Sequence, residues 1–183
     1  MQPLSKQDIK DMLVFDLTEK VINHIKDICL KSTEYTQHLW EIAIENSYPA
    51  SWRAAWVYAK VADINPEMAK PHVLEIPKLL LAFTHDGQKR ELLKVILLFP
   101  LIEQDMGLIL NICFDWLASP KETAAVRVHS MQIVYEISKV EPDLQPELKL
   151  MLLQLMPDAE PGMLSRGTKI LAKLSNVDVW NRM

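Results

Sequence analysis

Four arginines recur along the chain at nearly constant spacing: Arg53, Arg90, Arg127 and Arg166 are separated by 37, 37 and 39 residues. Each opens an apolar stretch: RAAWVYAKVADI, RELLKVILLF, RVHSMQIVYEI and RGTKILAKL. Behind each arginine, apolar residues return at three- and four-residue steps, the pattern of a helix buried over most of its surface. A fixed period of this length describes a chain made of copies of one supersecondary unit, none able to bury its apolar face alone.

A second feature repeats independently of the first. INPEMAKPHVLEIPKLLLAF follows the first arginine helix, and VEPDLQPELKLMLLQLM follows the third. Each reads as a proline, an acid and an apolar residue, then a further proline four or five residues on, then apolar helix. Proline is tolerated in the first turn of a helix and breaks its interior, so Pro66/Pro71 and Pro142/Pro146 mark a turn and a new start. The middle copy has FPLIEQDMGLILNICFDWLAS instead, with Pro100 ending its first helix. The unit is therefore a helix–turn–helix of about 37 residues.

Arginine, apolar positions and turn proline together resemble the HEAT/armadillo class of α-solenoid repeats over roughly residues 50–175. The period is longer than the 34 residues of tetratricopeptide units, whose Trp/Gly/Tyr pattern is not apparent. The resemblance implies an all-α, right-handed α-α superhelix of about nine helices. It also implies a single domain over 1–183: capping helices at 1–49, helix pairs at 50–86, 87–123 and 124–160, and a half repeat with tail at 161–183. In the HEAT pattern such arginines commonly form a ladder along the stack. A distant similarity to the HEAT-like fold of DNA alkylation repair proteins comes with it.

Ahead of the first repeat, SKQD at 5–8 has the form of a capping box, and Thr18 and Ser32/Thr33 are candidate caps for helices through VINHIKDICL and EYTQHLWEIAIEN, with Pro49 ending the latter. At the other end, LSNVDVWNRM is too short for a second helix and is expected to act as a cap or docking element.

Composition supports helices joined by short connections. There are four glycines, where average usage predicts about a dozen, so hairpins and phosphate loops lack the residue they need. Net charge is −4, and no segment holds the basic excess of a nucleic-acid binder: residues 1–49 carry −3, 50–119 carry −1, and 120–183 balance. Cys29 and Cys113 lie in apolar surroundings that suit buried thiols better than a disulfide or nucleophile. The N-terminus lacks the apolar run of a signal peptide, and the longest apolar runs are too short to span a bilayer. A soluble, cytoplasmic protein is the expectation.

The arginine ladder is read as structural. Each guanidinium is expected to pair with a carboxylate or helix end of a neighbouring unit, in preference to lining a groove for an acidic partner. Trp40, Trp52 and Trp56 form an aromatic set near the first repeat, either core filling or a patch for a base or peptide. His72 with Glu75, and His85 beside Asp86, lack a third ligand for a metal. No HExxH, CxxC, GxSxG or P-loop is present, and no carboxylate pair stands out for acid–base work.

The expected function is a non-catalytic scaffold that holds a protein or peptide on its concave face of second helices. His72, Glu75, Lys78, Asn111, Asp115, Lys149 and Gln154 are the candidate contact residues, and no cofactor or metal is expected. The alternative is a DNA-binding relative of the alkylation repair glycosylases, with Asp115 beside Trp116, or Asp63 near Trp56, as its acid. The charge balance argues against it. A monomer or weak homodimer is expected, the latter through the C-terminal half repeat.

Overall fold

The computed structural model describes residues 3–180, and within them ten α-helices and no strand. The chain divides into two compact units, Met1–Gln104 and Asp105–Met183.

The first unit holds α1 (Lys6–Phe15), α2 (Glu19–Cys29), α3 (Thr33–Ala43), α4 (Ala50–Ile64), the short α5 (Ile76–Leu79) and α6 (Asp86–Ile96). Ser5 and Asp8 form the capping box anticipated at the start of α1: the Asp8 amide donates to Ser5 Oγ, and the Ser5 amide donates to Asp8 Oδ2. Ser32 Oγ accepts from the Tyr35 amide to start α3, whereas Thr18 precedes α2 without a side-chain cap.

Helix α4 is the centre of this unit. It packs against α1, α2, α3 and α6, and Ala50, Ala54, Ala55, Val57, Tyr58, Ala59, Val61 and Ala62 are all buried along its fifteen residues. A helix surrounded by four neighbours must be apolar nearly all round, and its many alanines let the neighbours approach closely.

Two local expectations differ from the structure here. Helix α3 stops at Ala43, six residues before Pro49, and the loop turns through Asn46 at φ 54°. Asn46 holds that left-handed conformation with its amide, donating from Nδ2 to the Ala82 carbonyl at 2.7 Å. Pro49 caps α4 instead. The second helix expected after α4 is a succession of turns, with a 3-10 turn at Pro66–Met68, four residues of α5, and another at Leu80–Ala82. Pro71 and Pro77 remove two amide donors and clash with the carbonyls four residues back, so no continuous helix can form through them.

The second unit holds α7 (Met106–Ala118), α8 (Ala124–Val140), α9 (Gln145–Leu155) and α10 (Pro161–Trp180), with 3-10 turns at Pro142–Leu144 and Met156–Asp158. Asp105 Oδ1 caps α7 by accepting from the Leu108 amide at 3.1 Å. Pro146 sits in the first turn of α9, where its missing donor costs nothing. Helix α8 is the hub, packing against α7, α9 and α10, with Val126, Ser130, Met131, Ile133, Val134, Ile137 and Ser138 buried. The segment after Leu174, expected to form a separate tail, continues α10 to Trp180; residues 181–183 lie outside the described range.

Candidate functional site

The four arginines do not share one kind of partner. Arg53 Nη1 donates to the carbonyls of Leu13 and Val14, at 2.8 and 3.0 Å, in the last turn of α1. Arg127 Nε does the equivalent at the end of α7, donating to the Leu117 carbonyl at 3.0 Å. A helix C-terminus leaves carbonyls without intrahelical donors and carries the negative end of the macrodipole, so a guanidinium suits it. Arg90 instead pairs with its neighbour Glu91, whose side chain is 2% exposed and also receives Lys94. Arg166 is exposed and donates from Nη1 to Gln132 Oε1 on α8 at 2.8 Å.

The three tryptophans likewise have separate surroundings. Trp40 is buried, its ring 5.3 Å from Tyr58 and stacked on His72 at 4.8 Å. Trp52 stacks on His85 at 5.6 Å with the Arg53 guanidinium 5.7 Å from its ring. Trp56 has Lys60 over its ring.

His72 was expected on the concave surface and is instead 7% exposed. With no helix through residues 66–75, the helical spacing that placed it outside does not apply. Its Nδ1 meets Tyr58 OH at 2.8 Å and its Nε2 meets Gln37 Oε1 at 2.8 Å. Gln37 Nε2 donates onward to Glu41, which leaves Gln37 Oε1 as the acceptor for a proton on Nε2 and makes Nδ1 the acceptor for Tyr58 OH. Burial lowers the His72 pKa, opposed by Glu75 and Glu41. It raises that of Tyr58. Glu75 and Lys78 are exposed beside this buried cluster.

Burial also pushes the thiols of Cys29 and Cys113 up to about 12. At neutral pH they are protonated, which is wrong for a nucleophile. Among the described residues no group of three or more His, Cys, Asp and Glu is placed to hold a metal ion. None of the described helices is long and apolar enough to cross a membrane.

Asn111 and Asp115 do come together with other groups. They lie on α7 with Leu110, Phe114 and Ala118, at steps of one and four that trace one helix face, and they line an open groove of about 620 Å³. Leu144, Glu147 and Met151, at the start and along one face of α9, form the other wall. Both helices lean on α8. Leu110, Phe114, Ala118, Leu144 and Met151 give the groove its apolar surface, and polar atoms make up slightly more than half of its exposed lining. The ionisable side chains in it are Asp115 and Glu147, both exposed carboxylates. Beyond the groove, α9 carries Leu150 and Leu153 into solvent, 63% and 53% exposed. Gln154 is also exposed on α9, while Lys149 is half-buried and engaged.

The sequence reading picked out Asn111 and Asp115 as polar positions but missed Phe114, Glu147 and Met151. The available signal was α7 itself, MGLILNICFDWLA, which has apolar residues on more of its circumference than one partner helix covers.

The HEAT repeat domain family matches residues 9–174, a range that starts within α1 and so takes in the N-terminal helices as well as the arginine-marked repeats. No curated protein and no solved structure matches the chain. With an all-helical structure over the described residues and a family match over most of its length, the chain belongs to the HEAT repeat domain family.

Proposed function

We propose that the protein is a non-catalytic interaction scaffold, and that it holds a protein segment in the groove between α7 and α9. The carrying observation is that groove: Leu110, Phe114, Leu144 and Met151 leave apolar surface open in it among the polar side chains of Asn111, Asp115 and Glu147. By the repeat bounds expected from the sequence both walls are second helices, and repeat proteins hold partners on extended surfaces of this kind. Apolar surface left open between polar edges is the usual composition of a docking site.

Site-specific photo-crosslinking tests it. A benzophenone side chain at exposed Asn111 is expected to capture a protein partner in cells, and one at exposed Asp63 on α4 is not. Equal capture from both positions, or capture from Asp63 alone, removes the groove from the reading. Salt-sensitive retardation of duplex DNA at low ionic strength would favour the DNA-binding alternative.

A further inference from the structure

Resting on the groove as the docking surface, we infer that its occupant is an amphipathic α-helix bearing lysine or arginine beside its apolar stripe. Three observations define that partner. Helices α7 and α9 supply nearly all of the lining, and the backbone groups of Leu110, Asn111, Phe114 and Met151 lie inside those helices, where the i to i+4 ladder engages them. The first amides of α9 and the last carbonyls of α7 are the ones left for a partner. An extended peptide would find few backbone partners along these walls for its own amides and carbonyls, whereas a helix satisfies them internally. Length agrees with this: Leu110 to Ala118 covers about 12 Å at 1.5 Å per residue, room for about two turns of a docked helix.

Charge selects the sign of the partner. Asp115 stands on the α7 wall and Glu147 on the α9 wall, and no basic side chain lines the groove. An incoming helix with anchors three or four residues apart would seat them against Phe114 and Met151. A lysine or arginine flanking the anchors meets a carboxylate on either side, while an acidic helix meets repulsion from both.

The probe is a synthetic 14-residue helix with leucine on one face and lysine on the other, labelled for fluorescence anisotropy, alongside its glutamate counterpart. The lysine peptide is expected to bind and the glutamate peptide not to. Asp115→Lys with Glu147→Lys is expected to weaken the lysine peptide at least tenfold. The same charge change in the first unit, Asp63→Lys with Glu67→Lys, both exposed, is expected to change it less than twofold. Comparable binding of both peptides, no binding of the lysine peptide, or equal weakening by the two double variants overturns the inference. A partner cross-linked at Asn111 through an acidic or extended segment overturns it too, while leaving the docking surface standing. Absence of any cross-link at Asn111 counts against the docking surface itself.

Discussion

Arg127 Nε lies 3.0 Å from the carbonyl oxygen of Leu117, across the turn that joins α7 to α8. The bond ties the first turn of one helix to the last turn of the helix before it, within one unit. Arg127→Ala removes a charged donor from that carbonyl together with the packing of the arginine stem. A charge-assisted bond of this kind is worth about 1–2 kcal/mol at a half-buried site, so urea denaturation is expected to show a loss of that order. Arg166→Ala, whose partner Gln132 is a neutral amide and whose side chain is exposed, is expected to leave the midpoint nearly unchanged. Equal losses at both positions would mean that the periodic arginines act as one ladder after all.

How far the sequence reveals this fold depends on where its prolines fall. VEPDLQPELKLMLLQLM and INPEMAKPHVLEIPKLLLAF open alike, yet the first becomes α9 and the second a string of turns. After Pro146 the next proline is Pro157, which leaves ten residues between them free to form helix; after Pro71 comes Pro77, which does not. The period of the arginines was visible because it is covalent spacing. Their partners were not, because a backbone carbonyl accepts regardless of the side chain it carries, so Leu13 and Leu117 leave no mark in the sequence. The groove was half legible: polar Asn111 and Asp115 were evident on α7, but which face of α9 lies opposite them is decided by how both helices pack on α8.

The His72 cluster makes stability depend on pH. Folding lowers its pKa, mainly by burial, so the unfolded chain binds more protons than the native one between the native value and the ordinary imidazole value of about 6.5. The stabilisation is complete above that ordinary value and is lost as pH falls toward the native pKa. Protonation also turns Nδ1 into a donor, which leaves the Tyr58 hydroxyl proton without its acceptor in a buried site. Denaturation at pH 7.5 and pH 5.0 is expected to show a larger acid loss for the natural protein than for His72→Gln. Parallel pH curves for the two would remove His72 as the cause.

Both cysteines should be silent in the folded protein. With Cys29 and Cys113 fully buried and their thiols pushed up to about 12, the thiolate that reacts is scarce and inaccessible. Ellman's reagent at pH 8 is expected to leave both unmodified in buffer and to modify both in concentrated guanidinium. Rapid reaction of either under native conditions would place that thiol at a surface.

Gly167 and Met156 give a test of packing in the second unit. Gly167 is in the interior of α10, and a Cβ placed there would overlap the sulfur and terminal methyl of Met156 in the preceding 3-10 turn. Two effects of opposite sign then compete in Gly167→Ala. Helix propensity favours alanine by about 1 kcal/mol, while turning aside the flexible, half-buried end of the methionine costs about 0.5–1.5 kcal/mol. Shortening Met156 to alanine removes the second effect and leaves the first. Gly167→Ala is therefore expected to be near neutral in the natural protein and stabilising in the Met156→Ala background. A double-mutant cycle read by thermal denaturation should give a coupling of about 0.5–3 kcal/mol. Additive effects would show that α10 and the turn do not meet as closely as the glycine allows.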